Sequence, residues 1–173
     1  YKNKPMKTVK LLAIILFSIT ALTVNAQDLD IRVPNFKSDE DYKDFEGDAI
    51  KCIDWLNAAT LKHPQRADVN ALVFMWISGT PDFTVSLHAY ISKYSKKNQD
   101  FLMLYLGGWI KYMIENPNQK DNELEGNVAG VKMMLDYYKK GKDFGVKKDK
   151  KVEQLLELEV EGTLKEFVEK QLK

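Results

Sequence analysis

The sequence predicts an all-α protein: a single compact domain of about six helices, arranged as a bundle or as an irregular array of helical hairpins. Three observations predict it. Apolar residues recur at helical spacing from Ser38 to Leu172, with little strand-type alternation. Start and stop signals punctuate that pattern at Ser38, Thr80-Pro81, Asn116-Pro117 and Gly141. The single cysteine, Cys52, allows no internal disulfide, so packing has to stabilise the fold.

Residues 1–26 are expected to be a cleaved signal peptide rather than part of that fold. Lys2, Lys4, Lys7 and Lys10 precede an apolar run from Leu11 to Val24, which ends in Val24-Asn25-Ala26 before polar Gln27. The run is shorter than the roughly 20 residues a spanning helix needs, and no basic cluster follows it. Cleavage near Ala26-Gln27 would place the chain in the periplasm or outside the cell, with no stable membrane anchor.

Residues 27–37 read as an extended lead-in, in which Leu29, Ile31 and Val33 alternate with polar residues and Pro34 blocks a helix. The domain then occupies residues 38–173. Its first helix starts at Ser38-Asp39-Glu40-Asp41, a capping-box-like sequence, and carries the stripe Tyr42, Phe45, Ala49, Cys52, Ile53 and Leu56 to near Thr60. The second begins near Arg66. Its run Ala71 to Ile77 is apolar all round, which predicts a central helix, and Gly79 is placed to cap it.

Thr80-Pro81-Asp82 predicts the start of a third helix reaching Ser95, with Phe83, Leu87, Tyr90, Ile91 and Tyr94 on one face. The fourth runs from Gln99 to Glu115. Gly107 and Gly108 in its middle each cost about 1 kcal/mol against alanine, which predicts either a close crossing or a kink. The fifth spans Asp121 to Lys140, with Gly126 and Gly130 on one side as a second close-contact signal. The last helix runs from Lys148 to the C-terminus in two apolar blocks separated by Gly162. Seven lysines between 139 and 151 read as a solvated loop leading into it.

Composition excludes several functions. All the Asp and Glu residues, 25 in number, follow residue 26, while four of the 26 Lys and Arg lie before it. The domain is therefore net acidic, and a nucleic-acid partner is not expected. The two histidines, His63 and His88, lack a metal-binding register, and no phosphate loop, dinucleotide fingerprint or calcium loop appears. No nucleophile elbow is visible, and Cys52 falls on an inner helix face. Catalytic residues, metal and cofactor are accordingly all assigned as none.

The positive observation is aromatic content. Trp55, Trp76 and Trp109 fall on three helices, and six tyrosines lie on helices three to five. Tyrosine and tryptophan combine apolar area with a hydrogen-bonding tip and suit contact surfaces. Tyr90, Tyr94, Tyr112, Met133 and Tyr137 are the candidate binding residues, with Met133 and Tyr137 off their helix stripe and so expected to face solvent or a partner. The expected function is a non-enzymatic binding or protein-interaction module for a protein or small ligand. The alternative is a small hydrolase-like enzyme with an unmarked acid–base site.

Overall fold

The spacing of apolar residues becomes eight α-helices and no strand among the described residues, 27–173, of a computed structural model. The expected signal peptide lies outside the described residues. The helices are α1 (Asp39–Asp44), α2 (Glu46–Ala58), α3 (Arg66–Gly79), α4 (Ser92–Ser95), α5 (Phe101–Glu115), α6 (Glu123–Lys139), α7 (Lys150–Val160) and α8 (Leu164–Leu172). None of them is long and apolar enough to cross a membrane.

α5 is the centre, and residues 104–110 are buried without interruption. The α2–α3 hairpin packs on one side of it and α6 on the other, with α7 and α8 laid over α6. The glycine pair makes this possible. A Cβ on Gly107 would sit 3.0 Å from Ile53 of α2. One on Gly108 would lie 2.8 Å from the Ala129 carbonyl and 3.0 Å from the Gly130 Cα, both on α6. Gly130 in turn receives the Tyr105 carbonyl. The two backbones thus cross where neither carries a side chain, and α5 runs on through its glycines.

Three expectations are corrected. The third helix shrinks to one turn, α4, because residues 83–88 take no regular secondary structure. Phe83, Val85 and Leu87 alternate with Thr84, Ser86 and His88, and β-branched and hydroxyl residues are poor helix formers. The Thr80 hydroxyl does accept the Asp82 N–H, at 3.5 Å, yet only a turn follows. Tyr90, Ile91 and Tyr94 still reach the core.

Secondly, α3 is not central. It buries Val69, Leu72, Val73 and Trp76 and leaves Ala71, Phe74 and Met75 exposed. Gly79 is its last residue rather than a left-handed cap, and its missing side chain makes room for the Tyr42 ring. Thirdly, the last helix breaks at Gly162 (φ 76°). Its N–H bonds the Glu159 carbonyl and that of Thr163 the Leu158 carbonyl, a left-handed stop that separates α7 from α8.

Two ties fix the ends of these elements. Buried Arg66 gives Nε to Asp100 at 2.6 Å and Nη1 to the carbonyls of Leu56 and Ala59, joining α2, α3 and α5. Residues 27–37 lie over α2 and α3. Trp55 donates its indole N–H to the Gln27 carbonyl, Gln65 pairs with the backbone of Leu29, and Phe36 stacks on Tyr42 at 4.4 Å.

Candidate functional site

The five candidate residues separate into two places. Tyr90, Tyr94 and Tyr137 are core residues. Tyr137 does not face solvent: its ring lies among Phe101, Phe144 and the Arg66 guanidinium, which sits 5.0 Å above it, and its hydroxyl donates to the Ala59 carbonyl at 2.7 Å. α6 is covered on more than one side, so its buried surface is wider than the stripe its sequence shows. Burial pushes the phenols of Tyr90 and Tyr137 up to about 12. Tyr112 and Met133 are half-buried and meet in a shallow groove of about 260 Å³ between α5 and α6, beside Asn57 and Lys111.

A larger cleft, of about 450 Å³, lies elsewhere. The irregular segment 81–86 forms one wall, α5 supplies Trp109 and Met113, and Lys120, Asp121 and Glu123 around the start of α6 close it. Trp109 reaches this position because of Gly126: a Cβ there would overlap the indole Nε1. His88 stacks parallel to the indole at 6.5 Å and bonds Glu123 Oε1 through Nε2 at 2.8 Å.

Beneath that pair lies a buried polar network. Asn127 donates to the Glu123 carbonyl at 2.9 Å and accepts the hydroxyls of Tyr90 and Tyr105 on Oδ1. Burial and the neighbouring Tyr90 push the Tyr105 phenol far up, so these hydroxyls stay protonated donors. The layer behind Trp109 and Glu123 is therefore fixed by satisfied buried bonds.

The indoles of Trp55 and Trp76 donate to the carbonyls of Gln27 and Tyr42, at 2.6 and 2.8 Å. That of Trp109 has no acceptor among the described residues; the ring is buried, lies against Gly126 and lines the cleft. Asp82, Asp121 and Glu123 give the cleft three carboxylates against the ammonium of Lys120. A smaller hollow shares Asp82, Phe83, Met113 and Lys120 and adds Lys43 and Glu46. Burial, with Asp82 nearby, pushes the Glu46 carboxyl up.

Trp109, His88 and Glu123 were not nominated by sequence reasoning. His88 and Glu123 are 35 residues apart, and nothing local pairs them. The available clue was Gly126, flagged for a close contact that turns out to be Trp109. Among the described residues no three His, Cys, Asp or Glu side chains gather as a metal site. No protein-family profile, curated protein or solved structure matches this chain.

Proposed function

We propose that the chain is an exported, non-enzymatic binding protein whose cleft takes a basic segment of a peptide or small protein loop. The observation that carries this reading is the charge of the cleft, where Asp82, Asp121 and Glu123 stand against Lys120 beside the Trp109 ring. A lysine or arginine side chain would meet Asp82, Asp121 and Glu123, which outnumber Lys120. His88 holds Glu123 and flanks the indole, so it positions both groups. Export rests on the sequence of residues 1–26, and N-terminal sequencing of periplasmic material tests it.

Titration of tryptophan fluorescence with Gly-Lys-Gly and Gly-Glu-Gly peptides tests the cleft. The basic peptide should alter the emission and the acidic one should not. Asp82→Asn/Asp121→Asn removes two of the three carboxylates and, at about 0.2–1 kcal/mol for each exposed ion pair, should weaken binding by roughly 2- to 30-fold in calorimetry. Equal binding of both peptides would overturn the reading. A second reading is favoured by one observation, the 2.8 Å His88–Glu123 bond, which is the geometry of an oriented acid–base pair. Mass spectrometry of the basic peptide after long incubation separates the two: an intact peptide supports binding, and hydrolysis supports the enzyme.

A further inference from the structure

Two lysine-rich stretches that are 50 residues apart in sequence meet at the open end of α6. Asn98, itself buried, clips them together. Its Nδ2 donates to the Lys147 carbonyl at 2.9 Å and its Oδ1 accepts the Lys147 N–H at 2.8 Å. Lys97 adds a bond from Nζ to the Lys148 carbonyl at 3.3 Å. The clip brings Lys96 and Lys97 beside Lys147, Lys148 and Lys150, and all five are exposed.

None of these five, nor Lys142 nearby, forms an ion pair with a described residue, although lysines elsewhere do, such as Lys51, Lys111 and Lys165. The local carboxylates do little to neutralise them. Asp149 is buried and caps α7 by accepting the Lys151 N–H. Glu153 accepts the Tyr138 hydroxyl at 3.2 Å and keeps its charge, one carboxylate against six lysines. Asp143 alone stands exposed in the 3₁₀ turn Gly141–Phe144. A strongly positive face thus stands on a domain that is net acidic.

The same face holds an apolar cleft of about 220 Å³. Tyr138, Val146 and Leu156 wall it, Gly141 leaves it open, and Lys139, Lys142 and Lys148 stand at its edge with one carboxylate, Glu153. Unpaired cations around an apolar hollow match one chemistry, an anionic head joined to a hydrocarbon tail. A soluble polyanion would use the lysines and leave the hollow idle.

We propose that this face docks on an anionic lipid bilayer, with the phospholipid phosphates on the lysines and an acyl chain at the Val146–Leu156 cleft. Surface lysines attract anionic leaflets within about a Debye length, so the contact weakens with salt. The face is separate from the Trp109 cleft, and its test does not depend on the peptide reading.

Co-sedimentation of the chain with phosphatidylglycerol vesicles and with phosphatidylcholine vesicles gives the test. Binding to the first only, reduced at least tenfold by high salt, is the expected result. Lys147→Glu/Lys148→Glu should abolish it, while Lys132→Glu/Lys170→Glu, the same charge change on α6 and α8, should leave most of it. Asn98→Ala keeps every lysine but releases the clip, and should weaken binding several-fold. Circular dichroism of each variant verifies its helix content.

Glycerol phosphate, the headgroup without tails, should not compete at millimolar concentration, and heparin should compete only weakly. Competition by either one at charge-equivalent amounts would overturn the lipid assignment in favour of a general anion site. Equal loss in the two double variants, or no binding to anionic vesicles, would overturn it altogether.

Discussion

Trp76 is fully buried, and its indole donates to the Tyr42 carbonyl across the α1–α3 contact. Trp76→Ala therefore removes a large core side chain and strands a carbonyl. Urea unfolding should show a loss of about 3–5 kcal/mol. Gly108 sets two effects against each other. Alanine there gains about 1 kcal/mol of helix propensity. Its Cβ, however, would press on the backbone of α6, with the Ala129 carbonyl at 2.8 Å, and overpacking costs about 1–3 kcal/mol. Gly108→Ala should thus destabilise on balance. Gly47→Ala meets nothing within 4 Å and should be neutral or stabilising in the same assay. Trp76 was legible as a core residue from its apolar neighbours. Tyr137 was not, because a ring lying outside one stripe gives no sign of the second surface that covers it.

Among the elements, α1 is the shortest that carries a full cap. Asp41 accepts the N–H groups of Lys37 and Ser38 and the Ser38 hydroxyl, while Ser38 accepts the Asp41 N–H. These bonds, led by the Lys37 N–H, hold the Asp41 carboxyl below the usual value. A depressed acid stabilises the fold above its unfolded pKa and loses that contribution as pH falls through its folded pKa. The melting temperature of the parent should therefore drop more steeply than that of Asp41→Asn as pH falls from about 5 to about 2.

The irregular segment before α4 behaves differently from any helix. Backbone N–H groups from Phe83 to Tyr90 find no described acceptor, whereas α5 is hydrogen-bonded and buried. Hydrogen exchange by mass spectrometry should show residues 83–90 exchanging within seconds, and residues 104–110 only on global opening. Protection in both segments would mean that the 83–90 wall of the Trp109 cleft is tied down by another part of the chain. The cap at Ser38 was readable because a capping box lies within four residues. The loss of the third helix was not, since Phe83, Leu87, Tyr90, Ile91 and Tyr94 fit a helical face as well as they fit an irregular wall leading to one turn.

For the whole molecule, Cys52 reports on cooperativity. It lies at 0% exposure in the core that α2, α3 and α5 share, and burial pushes its thiol up to about 11. An uncharged, inaccessible thiol should resist a thiol reagent in the native state. Labelling should become fast only across the urea transition seen by circular dichroism, if one core unfolds as one unit. Labelling well below that midpoint would show that α2 opens separately.

By itself, the sequence determined the all-α class, the bounds of α5 and α6 to within a few residues, and the positions, Gly107, Gly108, Gly126 and Gly130, where a close contact needs room. These are local properties: periodicity, caps and the absence of a side chain act within a few turns of chain. Tertiary structure alone decided which aromatic residues reach the surface, because burial depends on what covers a helix. It alone brought His88 to Glu123, set the Trp109 ring in the wall of a cleft, and clipped Asn98 to Lys147 and Lys97 to Lys148. Those pairings join residues 35 to 51 positions apart. No pattern within a helix specifies them, since each partner's place is fixed by packing against elements in between.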